Sequence, residues 1–367
     1  GKSMSVLFPA LKSMGNESVG PIFYLTARGT TRTAAENALA ILRDTEPELH
    51  LRSVTLTAKD KICLCETREC TPEACPYANG YYARIKGALW DVLDVPCLTA
   101  ETLQEYAERH MVCPFELGLD SSLWSDVIIG DYNYLFDPVV HLVRFFESAG
   151  DYIFLVDEAH NLPGRAREMH SAALTKTSFY EAKKLLGKGK SSLKNALTKV
   201  NDVFIEWRHR AEEETAARDG RFGKTFFLKE RSEEFDPLLN RLCEPLEAWL
   251  DDHREPDETH TALLQLYFDV RAWLRVADTF DDHFVLQITA SGSEVRAAQL
   301  CLDPSAFLAD SFALGRAAVL FSATLAPASY YKDLCGVPEA RAVALRSPFP
   351  AGNQGLFCIG NVSTRYK

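Results

Sequence analysis

Apolar positions along this chain form two kinds of run. Short unbroken runs rich in β-branched and aromatic residues occur at PIFYLTA (21–27), SVTLTA (53–58), DVIIG (126–130) and YIFLVD (152–157). Such runs read as strands buried on both faces. The first is expected to end near Thr26. Between them, apolar residues recur at helical spacing over roughly 4–14, 31–43 and 139–147. Strand followed by helix, repeated, predicts an α/β chain with a largely parallel sheet.

The rhythm breaks twice. Residues 61–115 hold a bunch of cysteines and two helix-like pieces, roughly 77–93 and 100–110. Residues 165–280 are charged and largely helical, with few β-like runs. Both read as insertions. The α/β rhythm then occupies 1–60, 116–164 and 281–350, where FVLQIT (284–289), EVRAAQLCL (294–302) and AAVLFSAT (317–324) return to strand-like runs. RSPFP (346–350) reads as a linker, and GLFCIG (355–360) as the first strand of a further domain over 351–367. The chain opens on Gly1 and stops at Lys367, which predicts a fragment cut at both ends.

Composition narrows the function class. Hydrophobic residues make up 47% and charged residues 25%, which excludes a disordered or collagenous chain. No run of eighteen apolar residues and no signal-peptide pattern occurs, so no membrane span is expected. The net charge of −11 argues against indiscriminate polyanion binding. A local basic groove remains compatible with it, because attraction to phosphates depends on nearby charge. Ten cysteines are many for a chain without a secretory signal, so metal ligation is a better first reading than disulfides.

Four features carry chemistry. In the first, the apolar strand at 153–156 ends in Asp157-Glu158-Ala159-His160. Nucleotide hydrolysis needs a carboxylate at a strand end to hold Mg²⁺ and another to orient the attacking water. Asp157 and Glu158 are placed for those tasks; the bland reading is an acidic helix-capping turn. In the second, Gly1-Lys2-Ser3 matches the last three letters of a phosphate-binding loop and is followed at once by a helix. The lysine of such a loop meets the β/γ-phosphates and the serine hydroxyl the Mg²⁺. The third is Ser322-Ala323-Thr324 after an apolar strand, able to bond to the acidic motif or simply to cap a turn. The fourth is the set Cys63, Cys70, Cys75 and Cys113, with gaps of six, four and 37 residues and Cys65 a competitor for the first place. Uneven gaps without a C-x-x-C knuckle suit an iron–sulfur cluster; zinc and reduced structural thiols stay open.

Taken together, these residues resemble the XPD/DinG-like branch of superfamily 2 iron–sulfur DNA helicases, in its bacterial form. The order is GKS, YLTARGTTR, the cysteines, CPFE (113–116), DYNYLFDP (131–138), VDEAHN (156–161), FSATLAP (321–327) and SPFP (347–350). The resemblance implies a RecA-like P-loop motor domain with an inserted [4Fe–4S] domain and an inserted helical arch. It implies 5′→3′ translocation on single-stranded or forked DNA, driven by ATP and Mg²⁺, in a cytoplasmic, nucleoid-associated repair protein. It implies Lys2, Asp157, Glu158 and His160 as catalytic residues and Gly1, Lys2 and Ser3 as the nucleotide cradle. Ser322 and Thr324 would couple nucleotide state to lobe closure. Thr26, Arg28 and Arg32 would contact DNA phosphates; Tyr132 and Tyr134 would stack on bases or pack in the core. Gly29 stands where the family usually has a hydroxyl residue, and the second lobe, which carries the family's arginine fingers, lies beyond this sequence. The competing classes are a cluster-bearing DNA-binding or redox-sensing module without a motor, and another P-loop ATPase. The adjacent carboxylates disfavour the former and the cysteine insertion the latter.

Overall fold

The computed structural model of the chain describes residues 1–345 apart from 17–18, 28, 47, 189–190, 218–223 and 256, together with residues 350, 352 and 355. The SPFP segment apart from its last proline, and the expected strand at 355–360 apart from Gly355, lie outside the described residues. Among the described residues, ten strands form two sheets: β1 (Ile22–Thr26), β2 (Ser53–Thr55), β3 (Cys97–Leu98), β4 (Val127–Asp131), β5 (Ile153–Asp157), β6 (Ala172–Thr175), β7 (Lys224–Leu228), β8 (Phe284–Ser291), β9 (Glu294–Cys301) and β10 (Ala317–Phe321).

The first sheet is parallel throughout, in the order β10-β5-β1-β4-β2-β3. Its central strands β1, β4 and β5 are buried at nearly every position because both faces are covered, whereas the edge strand β10 is largely exposed. Along β1, Ile22 and Tyr24 enter one core with Val127, Ile129, Ile153 and Leu155. Phe23 and Leu25 enter the other with Val54, Ile128, Phe154 and Val156. Helices Lys2–Asn16 and Gly29–Thr45 seal the first core through Leu7, Ala35, Leu39 and Leu42. The expected helix over 139–147 shrinks to Val143–Phe146. Asp137 explains this, since its Oδ1 accepts from the amides of Val139 and Val140 and folds the chain into a turn instead.

The cysteine-bearing stretch is less separate than the sequence suggests. It supplies β3 to the parallel sheet, and its Tyr81, Ile85, Ala88, Val92, Leu103 and Ala107 join the same core as Phe23 and Phe154. Its main helix starts at Tyr81 rather than near 77, behind Gly80 at φ +66°, a left-handed conformation that favours glycine.

The second sheet is antiparallel, in the order β6-β9-β8-β7. It packs with helices Ser192–Ala217, Phe235–Asp252 and Glu258–Asp278 around a core of its own. This moves one expected boundary. Residues 284–301 pair with β6 and β7 inside the second insertion, so of the strand-like runs after 280 only β10 joins the parallel sheet. The register gives the reason: β8 and β9 form a hairpin joined at Gly292; β8 alternates buried with more accessible positions, as a one-sided antiparallel strand does, while β9 buries Ala297, Ala298 and Gln299 in succession. No helix among the described residues is long and apolar enough to cross a membrane.

At the centre of the second core, Phe235 is fully buried, with ring centroids 5.2 Å from Phe204, 4.6 Å from Trp207 and 5.4 Å from Trp273. Phe235→Ala should therefore cost about 3–5 kcal/mol. Urea unfolding followed by tryptophan fluorescence checks this, and a loss below about 1 kcal/mol would show that the cavity collapses.

Candidate active site

Parallel strands end on a common edge, and the C-terminal ends of β5, β1 and β10 bring the chemical residues together. Asp157 closes β5 beside Phe321 of β10. Its carboxylate is buried and held from two sides. Oδ1 accepts the Glu158 amide at 2.8 Å, and Oδ2 accepts the Tyr24 hydroxyl at 2.9 Å. The same hydroxyl lies 3.0 Å from Ser3 Oγ, so Tyr24 bridges the serine of the GKS segment to the acidic strand end. Burial raises the Tyr24 phenol well above its ordinary range, so it stays protonated as a donor. Tyr132 donates to the Asp157 carbonyl and fixes the strand end from below.

Glu158 sits at φ +50°, a left-handed conformation uncommon for a residue with a side chain and a source of local strain. That turn aims its carboxylate at three partners. Lys2 Nζ is 2.5 Å from Oε1, Ser322 Oγ is 3.3 Å from Oε2, and His160 Nδ1 is 3.4 Å from Oε2. His160 Nδ1 also lies 2.7 Å from Ser322 Oγ, which accepts the Thr324 amide at 3.2 Å. The structure thus gathers Lys2, Ser3, Asp157, Glu158, His160, Ser322 and Thr324 on one edge. Gly1 begins the helix, its carbonyl accepting the Ser5 amide at 3.2 Å. The oxygens of Ser3 and Asp157, bridged by Tyr24, are hard donors of the kind that suit Mg²⁺.

The residues expected along a DNA path fare differently. Arg28 lies outside the described residues. Thr26 is fully buried with its hydroxyl on the Gly130 carbonyl, so it offers no donor at the surface. Tyr132 is fully buried as well, its hydroxyl engaged at Asp157; its ring is core, not a stacking platform. Tyr134 is half-buried with its ring against Gly130, where a Cβ would meet Cδ2 at 2.6 Å. Arg32 is largely covered: Nη2 is 3.9 Å from Asp131 Oδ2, and Nε is buried with no hydrogen-bond partner. Tyr24 escaped the sequence reading, although it is the one ring with a polar tip inside an otherwise apolar strand.

The cysteine set is reduced and incomplete as a cage. Cys65 Sγ lies 3.8 Å from Cys75 Sγ, and burial together with Cys75 and Cys63 pushes the Cys65 thiol up. Cys70 is exposed, and Cys113 precedes the helix Pro114–Ser121. Lys59 bonds Glu116 at 3.3 Å in that helix's first turn and lies near both Cys70 and Cys113. The thiols suit a thiophilic group in kind. Among the described residues, no three His, Cys, Asp or Glu side chains converge closely enough to hold a metal ion.

Acidic, hydroxyl and lysine groups are thus gathered at the C-terminal edge of a parallel sheet, the place where open α/β sheets bind their ligands. Comparison with known proteins is specific. A family model described as DEAD_2 matches residues 43–179. The regulator of telomere elongation helicase 1 homolog of Anopheles gambiae is 27% identical over 157 residues, covering 39% of this chain and 16% of that protein. The general transcription and DNA repair factor IIH helicase subunit XPD of Schizosaccharomyces pombe is 28% identical over 223 residues, covering 56% of this chain and 28% of that protein. The chain therefore matches only a minor part of these relatives' length. Among solved structures, an XPD helicase superposes with a TM-score of 0.55 at 17% identity, over 92% of this chain and 55% of that one. A truncated XPD gives 0.54 at 17% identity, over 91% and 90%. The structural likenesses show a shared fold. Over part of its length the chain is thus similar in sequence to relatives named as helicases, and it shares the fold of the XPD structures.

The ion pair yields a titration prediction. Bonding to Lys2 holds the Glu158 carboxyl below its usual value of 4.5. A depressed carboxyl contributes stability that is present above the ordinary value and lost as pH falls through the folded one. Carbon-detected NMR titration should place the wild-type Glu158 midpoint below 4.5, and Lys2→Ala should bring it back up. An unchanged midpoint in Lys2→Ala would show that the pair does not form.

Proposed function

We propose that this chain is the first motor lobe of an ATP-dependent DNA helicase that travels 5′→3′ on single-stranded DNA. The observation that carries the reading is the meeting of Lys2, Ser3, Asp157, Glu158, His160 and Ser322 on one sheet edge. Relatives named as helicases, one of them a subunit of a DNA repair factor, support it. Ser3 and Asp157 would hold Mg²⁺, which when bound supplies charge neutralisation at the phosphates. Lys2 would meet the nucleotide phosphates. Here its ammonium lies on Glu158 instead, so arriving phosphate oxygens compete for it and leave the Glu158 carboxylate free to orient the attacking water. The chain His160–Ser322–Thr324 joins the end of β5 to the loop after β10, and would carry the change at Glu158 toward the second lobe. Arg32, with an unpaired buried Nε, would serve the DNA path if the segment around it opens.

The thiol region is proposed to hold a [4Fe–4S] cluster through Cys70, Cys75, Cys113 and either Cys63 or Cys65. When bound, the group would tie segment 63–75 to Cys113, beside the Lys59–Glu116 pair. The remaining thiol would be left over. The second insertion would form the arch. Such a protein would work in the cytoplasm at the nucleoid, on single-stranded or forked DNA.

Two measurements test this. Glu158→Gln in the full-length protein should lower DNA-stimulated ATP hydrolysis at least about 100-fold while leaving nucleotide binding in place. Normal turnover in that variant would refute the role of Glu158. Protein purified anaerobically should contain iron and no stoichiometric zinc, and Cys70→Ser should lose most of that iron. Zinc in place of iron, or full iron in Cys70→Ser, would refute the cluster assignment.

A further inference from the structure

The Tyr24 ring is fully buried in the core that holds Leu7, Ile129 and Leu155, and it meets Phe321 edge-on at 5.9 Å. Apolar packing of that kind needs a ring and no oxygen, so phenylalanine would serve it. A hydroxyl taken out of water costs free energy unless it is bonded. The oxygen that separates tyrosine from phenylalanine at this position is therefore accounted for by its partners. These are Asp157 Oδ2 at 2.9 Å and Ser3 Oγ at 3.0 Å, on two different elements of the sheet edge.

Counting protons gives the bonds a direction. A tyrosine hydroxyl has one proton, and an ionised carboxylate only accepts. Tyr24 therefore donates to Asp157. The lone pairs of the same oxygen then take the proton of the Ser3 hydroxyl, and the relay runs from Ser3 through Tyr24 to Asp157. Its effect is on what the two ends present. Ser3 directs its proton inward and keeps lone pairs for a cation. Asp157 is held at both oxygens, Oδ1 by the Glu158 amide at 2.8 Å and Oδ2 by Tyr24, so the carboxylate is fixed before any ion arrives.

We propose that Tyr24 is a positioning residue of the metal subsite, orienting the Ser3 hydroxyl and the Asp157 carboxylate so that both turn oxygen lone pairs toward Mg²⁺. This rests on the reading of Ser3 and Asp157 as the oxygens that hold the ion, and adds the group that aims them. Tyr24 acts only through those two side chains. Partners that orient metal ligands from behind typically change metal affinity about 10- to 100-fold. The ring also ties the subsite to β10, because Phe321, on which it packs, directly precedes Ser322.

The test measures Mn²⁺ binding to full-length protein saturated with ADP, read from the electron paramagnetic resonance signal of the free ion. Tyr24→Phe keeps the ring and removes only the oxygen. It should weaken Mn²⁺ binding about 10- to 100-fold, while affinity for metal-free ADP stays unchanged. Raising Mg²⁺ should restore DNA-stimulated ATP turnover in Tyr24→Phe, so the defect lies in the Mg²⁺ requirement and not in kcat. A double-mutant cycle separates positioning from packing. In a Ser3→Ala background the relay is already cut, and adding Tyr24→Phe should cost at least about threefold less Mn²⁺ affinity than it does in wild type. Wild-type Mn²⁺ affinity in Tyr24→Phe, or an equal loss with and without Ser3, would overturn the proposal. If wild type binds Mn²⁺ and Tyr24→Phe binds it equally, the positioning role alone fails. If wild type with ADP binds no Mn²⁺, the metal-site reading fails with it.

Discussion

Everything chemical in this molecule depends on one geometric constraint: strands that run parallel must end on the same side of their sheet. Once β1, β5 and β10 pair in register, Asp157 is fixed next to Phe321, and the loops that follow each strand share one edge. The helix from Lys2 packs its Leu7 into the core under that edge, which carries Lys2 and Ser3 to the carboxylates. Tyr24 locks the arrangement through a single buried hydroxyl between Ser3 and Asp157. A buried carboxylate is tolerated because its oxygens are satisfied by an amide and a phenol. The site is therefore a property of sheet topology first and of individual side chains second.

The two insertions solve the problem of burial in opposite ways. The cysteine-bearing stretch borrows the parallel sheet's core and even lends it an edge strand, β3. Its helices are thus anchored by ordinary apolar packing, and any metal ligation would organise the thiol loop rather than the whole unit. The second insertion builds its own antiparallel sheet and an aromatic core around Phe204, Trp207, Phe235 and Trp273. Its chain enters at β6 and leaves at β9 before the parallel sheet resumes at β10.

Much of this was legible in the residues. The strands at 22–26, 127–131 and 153–157 begin as apolar runs, as two-sided burial requires, and the strand-end motifs marked the edge on which those residues meet. Other features were beyond reach for physical reasons. Periodicity says that 284–301 are strands but not which sheet they join, because pairing is a long-range choice. Tyr132 and Tyr134 look alike beside Asn133, yet one hydroxyl finds the Asp157 carbonyl and the other ring lies on Gly130. Thr26 ends its strand like a surface donor but is capped by the neighbouring strand's carbonyl. Cys63 and Cys65 stand two residues apart, and only coordinates bring Cys65 within 3.8 Å of Cys75.

The central claim is that the sheet edge is a metal-assisted nucleotide site. Calorimetric titration of the full-length protein with Mg·ATP at zero and saturating Mg²⁺, for wild type and Asp157→Ala, tests it most directly. The account predicts Mg²⁺-dependent binding by wild type and an affinity at least about tenfold weaker in Asp157→Ala, or about 1.4 kcal/mol. Equal affinity in the two proteins, or no binding by wild type, would contradict it.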